Sequence, residues 1–140
     1  MKRVLTIVAA ALIALLIFTQ QSHAGSVNKE VIFSGTGITA DVNGDWYCFD
    51  NRAVDFVFES VATFNSGTST LDTSIVTTTD KSHISDAIVS FTQVTTSSAS
   101  EYKTLGATTH VLRCVRAVVD VGAAGSPNYD LVVTAHYRLD

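Results

Sequence analysis

Positive charge is scarce in this chain, with nine Lys or Arg against thirteen Asp or Glu and a net charge of −4. Past residue 24 only Arg113 and Arg116 sit close together, so no clustered basic surface is available for phosphates, and nucleic acid is not expected as a partner. Cysteine is equally sparse. Cys48 and Cys114 are the only two, and neither has a second ligand at metal spacing. Motifs that organise catalysis are missing too: there is no GxSxG elbow, no HExxH, and His83, His110 and His136 fall on separate segments as surface residues. Asp41, Asp45, Asp50 and Asp55 come at near-regular spacing but lack the dense oxygen register of a calcium loop, and Asp-rich turns between strands are ordinary. No carboxylate pair stands out for glycoside hydrolysis. No enzyme, metal or cofactor is therefore expected. With no Asn-x-Ser/Thr sequence, N-glycosylation is not expected either.

Helical periodicity is also absent after residue 24, where no segment carries an apolar stripe at three-to-four-residue spacing with caps. What is there alternates in twos. Apolar, β-branched and aromatic residues gather in Val31 to Phe33, Asp45 to Phe49, Val54 to Phe64, Leu71 to Thr77, Ile84 to Val94, Val111 to Val121 and Leu131 to Leu139. Turn signals separate them, among them Gly35-Thr36-Gly37, Asn43-Gly44, Asn65-Ser66-Gly67 and Gly125-Ser126-Pro127-Asn128. Such a pattern predicts an all-β chain, a single β-sandwich or jelly-roll-like domain of two packed sheets.

Parity assigns faces. Val115, Ala117 and Val119 are expected to face the core with Arg113 at the rim, as are Leu131, Val133, Ala135 and Tyr137, which leaves His136 and Arg138 outside. Trp46, Phe56, Phe58, Phe64 and Phe91 are the large core candidates, with parity ambiguous for Trp46. The runs Thr77 to Thr79 and Thr95 to Ser98 suit a sheet whose outer face meets solvent or a neighbouring subunit.

Ahead of the domain, Lys2 and Arg3 precede an uncharged apolar run from Val4 to Phe18, a polar Thr-Gln-Gln segment, and Ser22-His23-Ala24. That is the order of an export signal cleaved after Ala24. The apolar run has 15 residues where a retained spanning helix needs about 20, which favours cleavage over a membrane anchor. Two regions are expected: residues 1–24 as signal peptide and 25–140 as the β-sandwich. After cleavage the chain has seven basic and thirteen acidic residues, a net charge of −6. The expected location is periplasmic, cell-surface or extracellular, with membrane contact only through the N-terminal segment during export.

Export gives the two cysteines an oxidising setting. A Cys48–Cys114 bridge would close a long loop, and the alternative is two separate buried thiols.

The stretches Val54-Asp55-Phe56-Val57-Phe58, Ser66-Gly67 through Thr70-Leu71-Asp72-Thr73-Ser74-Ile75, Val111-Leu112-Arg113-Cys114-Val115-Arg116-Ala117 and Ser126-Pro127-Asn128-Tyr129-Asp130-Leu131 resemble small phage virion proteins of the head-decoration or capsid-cement type. This sequence departs from their pattern at Cys114 and in its export segment. The resemblance implies a non-enzymatic structural protein that self-associates or decorates a larger surface, virion-associated in the alternative, with a homo-oligomer or larger protein assembly as partner. An exported module binding a carbohydrate or a protein through sandwich loops is the other expectation. For assembly, the arm from Gly25 to Ile38 is the expected element, with Val27, Val31, Ile32 and Phe33 as its contact residues and Gly25 to Ser34 dispensable for folding.

Overall fold

Alternation of side chains builds nine strands and no helix among the residues that the computed structural model describes, which are 26–50, 52–106, 108–122 and 124–140. The expected signal segment, Met1 to Ala24, lies outside the described residues. The strands are β1 Asn28–Ile38, β2 Val42–Asn43, β3 Tyr47–Cys48, β4 Ala53–Ser66, β5 Leu71–Thr78, β6 Val89–Ser90, β7 Ala99–Thr104, β8 Cys114–Val121 and β9 Asn128–Leu139. One sheet has the order β1-β9-β4-β7, all antiparallel; the other runs β2-β8-β5-β6, with β3 also pairing with β8. The chain is an all-β sandwich whose inner faces meet in one core.

That core is filled by the faces parity selects. Val115, Ala117 and Val119 of β8 and Leu131, Val133 and Ala135 of β9 are fully buried, and they close on Phe58, Leu71, Ile75 and Tyr129. Burying a side chain of this kind is worth about 1.5–3 kcal/mol. At one end the rings of Phe49, Phe56 and Tyr137 meet edge-on and stacked, with centroids 4.8 to 5.7 Å apart. At the other end Tyr129 buries its ring against Phe64, and its one hydroxyl proton is shared between the carbonyls of Ser69 (2.6 Å) and Thr95 (2.8 Å). A buried phenol needs such a partner, and here it finds two.

Several expectations are corrected. The segment from Ile84 to Val94 is not a continuous strand: only Val89–Ser90 forms one, while Ile88 and Phe91 each donate one backbone hydrogen bond to β5 and Val94 exchanges a reciprocal pair with Leu71. Upstream, Asp80 accepts from the backbone N–H groups of Ser82 and His83, and Ser85 Oγ accepts from Thr77 N–H. Those local bonds compete with a ladder and turn the chain into a loop. Conversely, Ala99–Thr104 is a strand that its polar composition hides, because an edge position lets it carry Glu101 and Lys103.

Trp46 is not in the core. Segment 42–49 follows the edge of β8 but bulges between β2 and β3, and Trp46 turns outward to lie over Arg116, 4.7 Å from guanidinium carbon to ring centroid. Tyr47 and Phe49 take the inward positions instead, their ring centroids 4.9 Å apart. Thr134 is buried within the outer-face row described next.

Candidate assembly edge

A sheet edge exposes unpaired backbone N–H and C=O groups, so it is a template for a further strand unless it is short, charged or covered. In the second sheet, β2, β3 and β6 each offer two residues. In the first sheet, β7 offers six residues, with Glu101 and Lys103 turned toward the inner side and joined at 2.6 Å. β1 is different. It has eleven residues and, among the described residues, one strand neighbour, β9.

The four residues expected on this element divide between two faces. Val27, just before the strand, and Val31 are 69% and 53% exposed, large values for valine. Ile32 points the other way into the core, and Phe33 packs half-buried against it. The expectation that Gly25 to Ser34 could be removed without cost to the fold is therefore corrected. Its deletion would take Ile32 from the core and strip β9 of its partner from Ser34 to Asn28. The β1 arm is a built-in strand whose outer edge has no strand partner among the described residues, not a loose extension.

Side chains across the outer face of this sheet form transverse rows, because register places residues of all four strands side by side. One row runs Val31, Thr134, Glu59, Tyr102; the next runs Lys29, His136, Val57, Thr104. Between them sits a polar cluster that the sequence did not reveal. Glu59, its side chain only 11% exposed, accepts from the Tyr102 hydroxyl at 2.6 Å, faces His136 Nε2 at 3.0 Å, and lies 3.7 Å from Lys29 Nζ. The Tyr102 hydrogen bond, then that of His136, hold the Glu59 carboxyl below its ordinary range, outweighing its burial. In return, the carboxylate pushes the Tyr102 hydroxyl up. His136, expected as a surface histidine, is half-buried in this contact. Glu59 is 43 and 77 residues from its two hydrogen-bond partners, so no local motif could have announced the cluster.

Cys48 and Cys114 are joined by a disulfide, their Cα atoms 4.0 Å apart, because they are direct register partners on β3 and β8. Thr78 on β5 continues the same row. The bridge pins a two-residue edge strand that its own ladder could hardly retain.

The four aspartates are not gathered. Asp41 accepts from Val121 N–H, Asp50 from Arg52, and Asp55 pairs with Arg138. Among the described residues, no set of three His, Cys, Asp or Glu could hold a metal ion. At one end of the sandwich, Ala53, Phe56, Leu105, Thr109, His110 and Val111 line an open cleft of about 370 Å³.

No protein-family model matches the chain, and no curated protein matches it. The resemblance to phage head-decoration proteins finds no counterpart in these comparisons. A solved structure described as Bacillus endospore appendages, a family of disulfide-linked pili, is similar to 83% of this chain over 91% of its own, with 14% identity and a TM-score of 0.47. At that identity and score the likeness bears on neither chemistry nor assembly.

Proposed function

We propose that this chain is an exported, non-enzymatic structural protein that associates with copies of itself through its β1 edge. The observation that carries this reading is the eleven-residue edge strand with Val31 exposed on it, longer than the six-residue β7 and the two-residue β2, β3 and β6. The Cys48–Cys114 disulfide supports an oxidising location, since such bonds persist outside the cytosol. Size-exclusion chromatography over a concentration series, with negative-stain imaging, tests the reading. Concentration-dependent oligomers are expected. A chain that stays monomeric at high micromolar concentration would exclude it.

Proline placed on the edge sharpens the test. Neighbouring residues of a strand direct their N–H groups to opposite sides, so of Lys29→Pro and Glu30→Pro one removes a bond to β9 and the other only blocks an incoming strand. Of the two, one variant should keep the monomer's melting temperature and lose the oligomers.

A second reading, ligand recognition at the end of the sandwich, has the 370 Å³ cleft beside His110 in its favour. A glycan-array screen tests it, and His110→Ala should abolish any signal that arises there.

A further inference from the structure

Resting on that reading, we infer that the strand received by β1 is β7 of a second copy, paired antiparallel and unshifted so that Glu30 faces Lys103 and Val31 faces Tyr102 of the next chain. Three features of the sheet point there.

Direction is the first. Four antiparallel strands in the order β1-β9-β4-β7 make the two edges run opposite ways. Copies in the same orientation therefore bring β1 and β7 together antiparallel, the pairing that needs no reorientation and is slightly the more stable.

Charge is the second. On the inner side, the row Glu30, Ala135, Phe58, Lys103 begins and ends with opposite charges. Continued into the next copy, it sets Glu30 against Lys103, and opposite charges facing across strands are favourable. Glu30 lies beside the Tyr47 hydroxyl but has no ion-pair partner among the described residues, whereas Lys103 holds Glu101 on its own strand. An incoming Glu30 flanks that lysine from its open side and offsets the inward charge that would otherwise keep β7 apart.

The outer face supplies the third. The row Val31, Thr134, Glu59, Tyr102 has its two exposed apolar members at its ends, Val31 at 53% and Tyr102 at 61%. Joined, they form a β-branched–aromatic cross-strand pair. The row Ser34, Val132, Val61, Ser100 likewise ends in two exposed serines. A two-fold β1–β1 pairing centred on Glu30 instead opposes two carboxylates and sets Lys29 against Val31.

Because the two surfaces differ, the contact is heterologous and does not close by two-fold symmetry; it propagates. Each copy would add four strands, advancing about 19 Å and turning roughly 80–100° at ordinary strand spacing and twist.

Cross-linking of the full chain tests the register. Ser34→Cys and Ser100→Cys variants, mixed and treated with a short bis-maleimide, should yield a covalent pair, and the variant carrying both changes should yield a ladder. Neither single variant alone should cross-link. Glu30→Lys and Lys103→Glu should each weaken association by about three- to tenfold, with the double reversal restoring it. A Ser34→Cys homodimer, or oligomers that persist with neither cross-link nor charge rescue, would overturn this pairing while leaving self-association intact. Monomers throughout would overturn both.

Discussion

Glu59 and Tyr102 face one another across the β4–β7 pair, with the Tyr102 hydroxyl 2.6 Å from the Glu59 carboxylate. This bond ties the short edge strand to the centre of its sheet, and His136 and Lys29 extend the tie to β9 and β1. Replacing Tyr102 by Phe removes the hydroxyl and leaves the ring. Stability should fall, read as a lower urea midpoint at unchanged slope. The Glu59 carboxyl should titrate at higher pH in that variant, which carboxylate NMR would follow.

Acid should weaken the same sheet. Glu59 and Glu101 have folded-state pKa values held below the ordinary glutamate value, Glu59 by the Tyr102 hydroxyl and Glu101 by the Lys103 ammonium first of all. A depressed value means the folded state binds the proton less readily than the unfolded one. Its stabilisation is present above the unfolded value near 4.5 and is lost as pH falls through the folded value. Melting temperatures measured from pH 7 to pH 3 should therefore drop below about pH 4.5. Glu59→Gln should flatten that drop, and an unchanged slope would show that other carboxylates carry it.

Reduction should loosen the second sheet. The Cys48–Cys114 bridge spans 66 residues of sequence, and removing a bridge of this kind costs about 2–5 kcal/mol. The double Cys48→Ser, Cys114→Ser variant should match the reduced protein in urea denaturation. Amide exchange should accelerate first at Tyr47 and Phe49, because β3 has two residues and little else to hold it.

Tyr129 anchors two loops at once. Tyr129→Phe leaves the Ser69 and Thr95 carbonyls without their donor and should cost about 1–3 kcal/mol, measured as the shift in denaturation midpoint.

Gly67 has a backbone that only glycine adopts easily, with φ +103°. A Cβ there would lie 2.7 Å from both Pro127 Cα and the Ser126 carbonyl oxygen, so the turn could not absorb it by moving a flexible side chain. Gly67→Ala should cost roughly 1–3 kcal/mol, seen as a lower melting temperature.

Much of the fold was legible. Two-residue alternation placed Val115, Ala117 and Val119, and Leu131, Val133 and Ala135, on the buried face before any neighbour was known. It failed where local polar bonds outcompeted the ladder, as from Asp80 to Ser85, and where an edge strand was polar enough to pass for a loop, as from Ala99 to Thr104. Trp46 escaped parity because the chain bulges between β2 and β3.

The amino-acid sequence by itself determined the class of structure, the inward face of the long strands and the presence of just two cysteines, since each follows from residue type and local period. Only the tertiary structure decided which strand lies beside which. Alternation sets the side of a strand a residue occupies but carries no information about the partner across the ladder, which is chosen by long-range packing and backbone pairing. That choice left β1 as the long edge, turned Ile32 inward and Val31 outward from it, gathered Glu59, Tyr102 and His136 from distant segments, and put Glu30 and Lys103 at opposite ends of one row.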